Sequence, residues 1–166
     1  MQLLGTLLEH FSQKHEKKIA VLGATSGDTG SAAIAACSRY ENVEVFILYP
    51  HGRVTEIQRK QITTSQDKNV HALSVQSDFD GCQAMVKQLF LDENILSNNT
   101  RFISANSINW TRCMTQSVYY FWTYLRLKEE LNQMIFSIPS GNFGHAYAGW
   151  LAKEMGLPIS KIFIAT

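Results

Sequence analysis

Apolar positions along this chain follow two alternating periods, one helical and one extended. Residues 1–11 place Leu3, Leu4, Leu7, Leu8 and Phe11 on one side of a helix. After Lys17 and Lys18 comes Ile19-Ala20-Val21-Leu22, a short apolar run that reads as a buried strand. A glycine-bearing stretch, residues 23–30, leads into an Ala-rich helix over 31–40. A second strand spans 43–48, and a helix spans 55–62, with Thr55 and Gln58 at capping-box spacing. Residues 70–75 read as a third strand. Ser77 or Asp78 can cap the helix that carries Phe79, Cys82, Met85, Val86, Leu89 and Phe90 on one side. A short strand at 102–104 and a long aromatic helix at 111–131 follow. A strand at 134–138, a second glycine loop and a helix at 145–155 come next; Gly156 and Pro158 stop that helix. The apolar run 162–164 predicts one more strand. Strand and helix alternate throughout, which predicts an α/β fold with a mainly parallel sheet and helices on both faces.

Composition narrows the class. The chain has 166 residues, 45% hydrophobic and 17% charged, enough for a globular core. A formal net charge of +1 with scattered Lys and Arg argues against nucleic-acid partners. Cys37, Cys82 and Cys113 form no CxxC pair, so they read as small core residues and no metal site is expected. No apolar run reaches the length of a membrane span, and no signal peptide is visible. A reducing, cytoplasmic setting is the expectation. The sequence opens within a helical stripe and closes within a strand, so an internal fragment of a longer enzyme is expected.

Two glycine loops carry the candidate chemistry. Gly23-Ala24-Thr25-Ser26-Gly27-Asp28-Thr29-Gly30 joins a strand to a helix, at the ligand-facing edge of a parallel sheet. Its hydroxyls and the free N–H groups of the helix start favour an anion. Asp28 opposes a phosphate, so a carboxylate ligand, or a group that donates to Asp28, fits better. The alternative is a turn with Asp28 as a cap. Ser140-Gly141-Asn142-Phe143-Gly144 also joins a strand to a helix and contains no acid, which suits a phosphate. The alternative there is a turn capped by Ser140 or Asn142. Neither loop has the spacing of a dinucleotide-binding or Walker motif, and no acidic residue follows the second strand, so a nucleotide-binding domain is disfavoured.

The two loops together resemble the threonine synthase family of fold-type II pyridoxal-phosphate enzymes. The resemblance extends over Tyr49-Pro50-His51-Gly52-Arg53-Val54, Gln61-Ile62-Thr63-Thr64 and Asn106-Ser107-Ile108-Asn109 with Arg112 and Gln116. It implies a smaller α/β domain over residues 1–132 and the start of a larger domain over 133–166. It implies pyridoxal 5′-phosphate as cofactor and a lyase reaction in which O-phospho-L-homoserine and water give L-threonine and phosphate. Ser140, Gly141, Asn142, Phe143 and Gly144 would hold the cofactor phosphate. Thr25, Ser26, Gly27, Asp28 and Thr29 would take the substrate carboxylate or lie beside the cofactor ring. Asn106, Ser107, Asn109 and Arg112 would line the substrate-phosphate site, where a guanidinium binds with two bonds. His145 is read as a surface or capping histidine.

The resemblance also implies a Schiff-base lysine in a Phe-Lys-Asp-Phe-like motif. No such motif stands in this sequence, and the lysine is expected upstream of Met1. The chain alone is therefore expected to be inactive. Two other outcomes keep the fold: a phospho-lyase that yields 2-oxobutyrate, and a non-catalytic ligand-binding or interaction module. The tail from Met134 is expected to be swapped into a neighbouring copy or poorly fixed, which would make the fragment self-associate.

Overall fold

The computed structural model describes residues 1–92, 95, 99–106, 109–130 and 132–166. The chain divides into two compact units, residues 1–106 and 107–166. The family resemblance implies a boundary at 132/133 instead. The helix over Trp110–Leu127 is the element assigned differently, because its contacts are with the elements that follow it.

The first unit contains α1 (Gln2–His15), β1 (Lys18–Ala24), α2 (Asp28–Cys37), β2 (Val43–Pro50), α3 (Glu56–Thr63), β3 (Val70–Val75), α4 (Phe79–Leu91) and β4 (Thr100–Ser104). Its four strands are all parallel, in the order β3-β2-β1-β4. Val21 of β1 sits opposite Val45 of β2 on one side and Ile103 of β4 on the other. The central strand is buried from Ile19 to Ala24, as a strand covered on both faces must be.

Strand alternation sorts the core into two layers. Ile19 and Val21 join Val43, Val45, Ile47 and Tyr49 in packing against Leu4 and Leu8 of α1, Ile34 of α2 and Ile62 of α3. Leu22, Ala24 and Leu48 point the other way, onto Cys82 and Val86 of α4. Helices therefore cover both faces, as the alternating pattern predicts. Thr55 and Gln58 form the expected capping box, and Asp78 caps α4 by accepting from Gly81 N–H. All three cysteines are buried. No helix among the described residues is long and apolar enough to cross a membrane.

The second unit contains α5 (Trp110–Leu127), β5 (Met134–Pro139), α6 (Gly144–Glu154) and β6 (Ile159–Ala165). The strands β5 and β6 pair in parallel. Met134, Ile138, Ala146, Ala148, Ala152, Leu157 and Ile159 pack around Tyr120, which is 1% exposed. The tail from Met134 thus has a core of its own, built with α5. Helix α5 ends at Leu127, four residues before the expected 131, because the backbone tightens into a turn with Glu130 N–H donating to Leu127 C=O.

Candidate functional site

The chain order makes β1 a switch point. From β1 the chain moves outward to β2 and β3, then returns to lay β4 against the opposite side of β1. In open parallel sheets, ligands bind in the crevice beyond the carboxyl ends of such strands. Residues 25–29 follow β1, and Asn106 follows β4, so the structure brings these sequence-derived candidates together at one edge of the first unit.

Thr25 organises the first loop. It is 2% exposed, its N–H donates to Leu48 C=O, and its Oγ1 accepts from the N–H groups of Gly27 and Gly30 at 2.9 Å each. Its hydroxyl oxygen therefore serves its own loop, tying the turn to the first turn of α2. Gly27 is the N-cap at φ 152, a conformation open to glycine; it has no side chain to cap with, and the Thr25 hydroxyl takes up the Gly30 N–H instead. The alternative reading, with Asp28 as the cap, is thus not what the chain adopts. Helix α2 starts at Asp28, earlier than the expected Ser31, and Asp28 Oδ1 accepts from Gln58 Nε2 at 3.1 Å. Ser26 is exposed and Thr29 half-buried. Helix geometry leaves the N–H groups of Asp28 and Thr29 without intrahelical acceptors.

Asn106 lies beside this loop. It is 8% exposed, and its Oδ1 is buried without a hydrogen-bond partner among the described residues. A Cβ added to Gly23 would sit 3.2 Å from that oxygen, so the glycine leaves the Asn106 side chain room at the end of β1. An unsatisfied amide oxygen at the rim of a ligand crevice is an acceptor that a ligand N–H or O–H can satisfy. Ser107 falls outside the described residues.

In the second unit, Asn109 is the N-cap of α5, with its Oδ1 accepting from Thr111 N–H at 3.0 Å. Arg112 is half-buried in the first turn of α5, and burial lowers its pKa from the ordinary value. Ser140 N–H continues the β5–β6 ladder by donating to Ala165 C=O at 3.0 Å. Gly141, Asn142 and Phe143 are exposed. The N-cap of α6 is Phe143, not Ser140 or Asn142, and no side chain caps the helix.

Phe143 is left-handed, at φ 57 and ψ 0. That conformation is rare for a bulky residue, and such strain collects at ligand sites. A left-handed residue followed by the helical Gly144 makes successive N–H groups converge on one concavity, a geometry that binds anions. The first turn of α6 contains no acid. Residues 140–144 therefore fit a phosphate by backbone geometry, with Ser140 and Asn142 as polar neighbours.

His145 is not the surface or capping histidine expected from sequence. Its Nδ1 lies 3.0 Å from Gln116 Oε1, its carbonyl accepts from the Tyr120 hydroxyl at 2.8 Å, and its ring lies 5.0 Å from that of Tyr120. Burial lowers its pKa. Gln116 Nε2 in turn donates to Arg112 C=O at 3.2 Å. A chain of hydrogen bonds thus runs from the α6 start to the α5 turn that bears Arg112. Gln58, Gln116, Tyr120 and His145 are the residues the sequence reading did not assign to a site. Only Gln58 carried a local signal, its capping-box spacing.

Residues 2–166 match the model of a family described as pyridoxal-phosphate dependent enzyme. The threonine synthase of Pseudomonas aeruginosa is 49% identical over 166 residues, which cover 100% of this chain and 35% of that protein. The pyridoxal-phosphate-bound threonine synthase from Brucella melitensis superposes with a TM-score of 0.87 at 44% identity, covering 99% of this chain and 35% of that one. The threonine synthase from yeast gives 0.86 at 46% identity, with 99% and 34% covered. The chain thus spans about a third of the length of these relatives.

Proposed function

Since the chain belongs to the pyridoxal-phosphate dependent enzyme family, we propose that it forms part of a threonine synthase-like lyase that converts O-phospho-L-homoserine and water to L-threonine and phosphate. The observation that carries the reading is the acid-free nest at Phe143-Gly144, in a chain this similar to threonine synthases.

The residues have distinct tasks in this proposal. The N–H groups at the start of α6, with Ser140 and Asn142, bind the cofactor phosphate. When bound, the cofactor supplies an electron sink for the carbon beside the substrate nitrogen. The first turn of α2, with Ser26 and Thr29, takes the substrate carboxylate. Gln58 engages one oxygen of Asp28, and the other accepts from a ligand N–H or O–H. Asn106, Ser107, Asn109 and Arg112 receive the substrate phosphate, with the Arg112 guanidinium giving a two-bond grip.

The chemistry requires a reactive lysine. Every lysine of this chain is exposed except Lys17, which is half-buried, and none lies in either glycine loop. The chain by itself is therefore inactive in this proposal. The test of the nest uses pyridoxine 5′-phosphate, which has no aldehyde to react with surface lysines. It should bind the chain, pyridoxine should not, and Asn142→Asp should weaken binding about tenfold by placing a carboxylate beside the phosphate. Equal binding of both compounds would overturn the phosphate assignment. Stoichiometric labelling of one lysine after pyridoxal phosphate and borohydride would overturn the inactivity. Threonine and phosphate released from O-phospho-L-homoserine by an enzyme containing this sequence tests the reaction.

A further inference from the structure

The geometry points to Gln116 as a positioning residue, which fixes the ring of His145 in one tautomer and so holds the phosphate nest against helix α5. The nest's role rests on the function proposed above; the tautomer does not.

Donor and acceptor chemistry alone sets the tautomer. Arg112 C=O can only accept, so the end of the Gln116 amide 3.2 Å from it must be the NH2 group. The other end, facing His145 Nδ1 at 3.0 Å, is then the oxygen. An amide oxygen can only accept, so Nδ1 carries a proton. In the neutral ring, Nε2 is left with its lone pair. Burial of the ring favours this neutral form. A neutral residue also suits the first turn of a helix, where a cation opposes the helix dipole.

Two bonds from one helix therefore grip the residue that follows the nest. Gln116 holds the His145 side chain and Tyr120 holds its carbonyl, and both belong to α5. Helix α6 offers no side-chain cap of its own, and its N-cap is a strained Phe143. The orientation of its first N–H groups is thus set from outside the helix. Gln116 also fixes the carbonyl of Arg112, so one amide side chain ties the nest to the turn that carries the guanidinium.

The test is made on the 166-residue chain. The 15N shifts of the His145 ring, in protein without ligand, should report the Nδ1–H tautomer. Gln116→Leu should abolish that preference while far-UV circular dichroism stays unchanged. His145→Asn keeps a donor near the position of Nδ1 and should retain binding of pyridoxine 5′-phosphate, whereas His145→Leu and Gln116→Leu should each weaken it roughly fivefold, the worth of one ordinary hydrogen bond. An Nε2–H tautomer in the unsubstituted chain would overturn the inference. So would a Gln116→Leu chain that binds as tightly as the parent. If the parent chain fails to bind pyridoxine 5′-phosphate, the nest assignment fails, and the shifts still decide the tautomer.

Discussion

Gln58 Nε2 donates to Asp28 Oδ1 over 3.1 Å, so the residue that completes the capping box of α3 also holds the first residue of α2. The amide is used at both ends, with Oε1 facing Thr55 and Nε2 facing Asp28. Gln58→Glu keeps the shape and sets a second carboxylate against Asp28. It should lower stability by about 1 kcal/mol at low salt, and less at high salt as the repulsion is screened. Urea midpoints at two ionic strengths check this; no salt dependence would mean the two side chains do not meet.

Thr25 makes the loop through its hydroxyl oxygen, which accepts two backbone N–H groups inside the protein. Thr25→Val is nearly the same size but leaves both donors unsatisfied. It should cost about 1–3 kcal/mol, whereas Thr25→Ser keeps the acceptor and should cost less. Denaturant unfolding of the two variants measures the difference, and a Val variant as stable as the Ser variant would contradict this account.

Gly149 lets α6 lie on Tyr120. A Cβ there would stand 2.7 Å from the ring, and Tyr120 is packed on all sides. Gly149→Ala should therefore destabilise the second unit by about 1–3 kcal/mol, as overpacking does. Hydrogen exchange should quicken in residues 134–165 and stay unchanged in β1 and β2.

Burial pushes the Cys37 thiol from 9.0 up to about 11. Between those values the unfolded chain has released the proton and the folded chain still holds it. Stability must fall as pH rises through that window. Urea midpoints from pH 8 to 10.5 should decline more steeply for the parent than for Cys37→Ala. Ellman's reagent should modify Cys37 in the native protein only at the rate of opening.

Much of this architecture was legible in the sequence, because it rests on local rules. The run Val70–Val75 is bounded as read, and the cap at Asp78 and the capping box at Thr55 lie where side-chain spacing put them. The start of β6 at Ile159 was hidden by the polar Ser160 and Lys161; Lys161 pairs with Ile135, and Ser160 sits at a break in the register. The left-handed Phe143 has no signature, since a phenylalanine gives no reason to expect positive φ. Gln116 and His145 are 29 residues apart and meet only because α5 packs on α6. Residues 25–29 were legible as the turn from a strand into a helix, but the inward-turned hydroxyl of Thr25 was not, because burial of a loop threonine is decided by the sheet beneath it.

A sheet of two strands has as many outer edges as it has strands. Neither β5 nor β6 pairs on its far side among the described residues, and Phe163 and Ile164 are exposed on β6. A row of free backbone donors and acceptors flanked by such side chains is a template for another extended segment. A charge introduced at Phe163 would interrupt that template, and should do more for solubility than the same charge on α2.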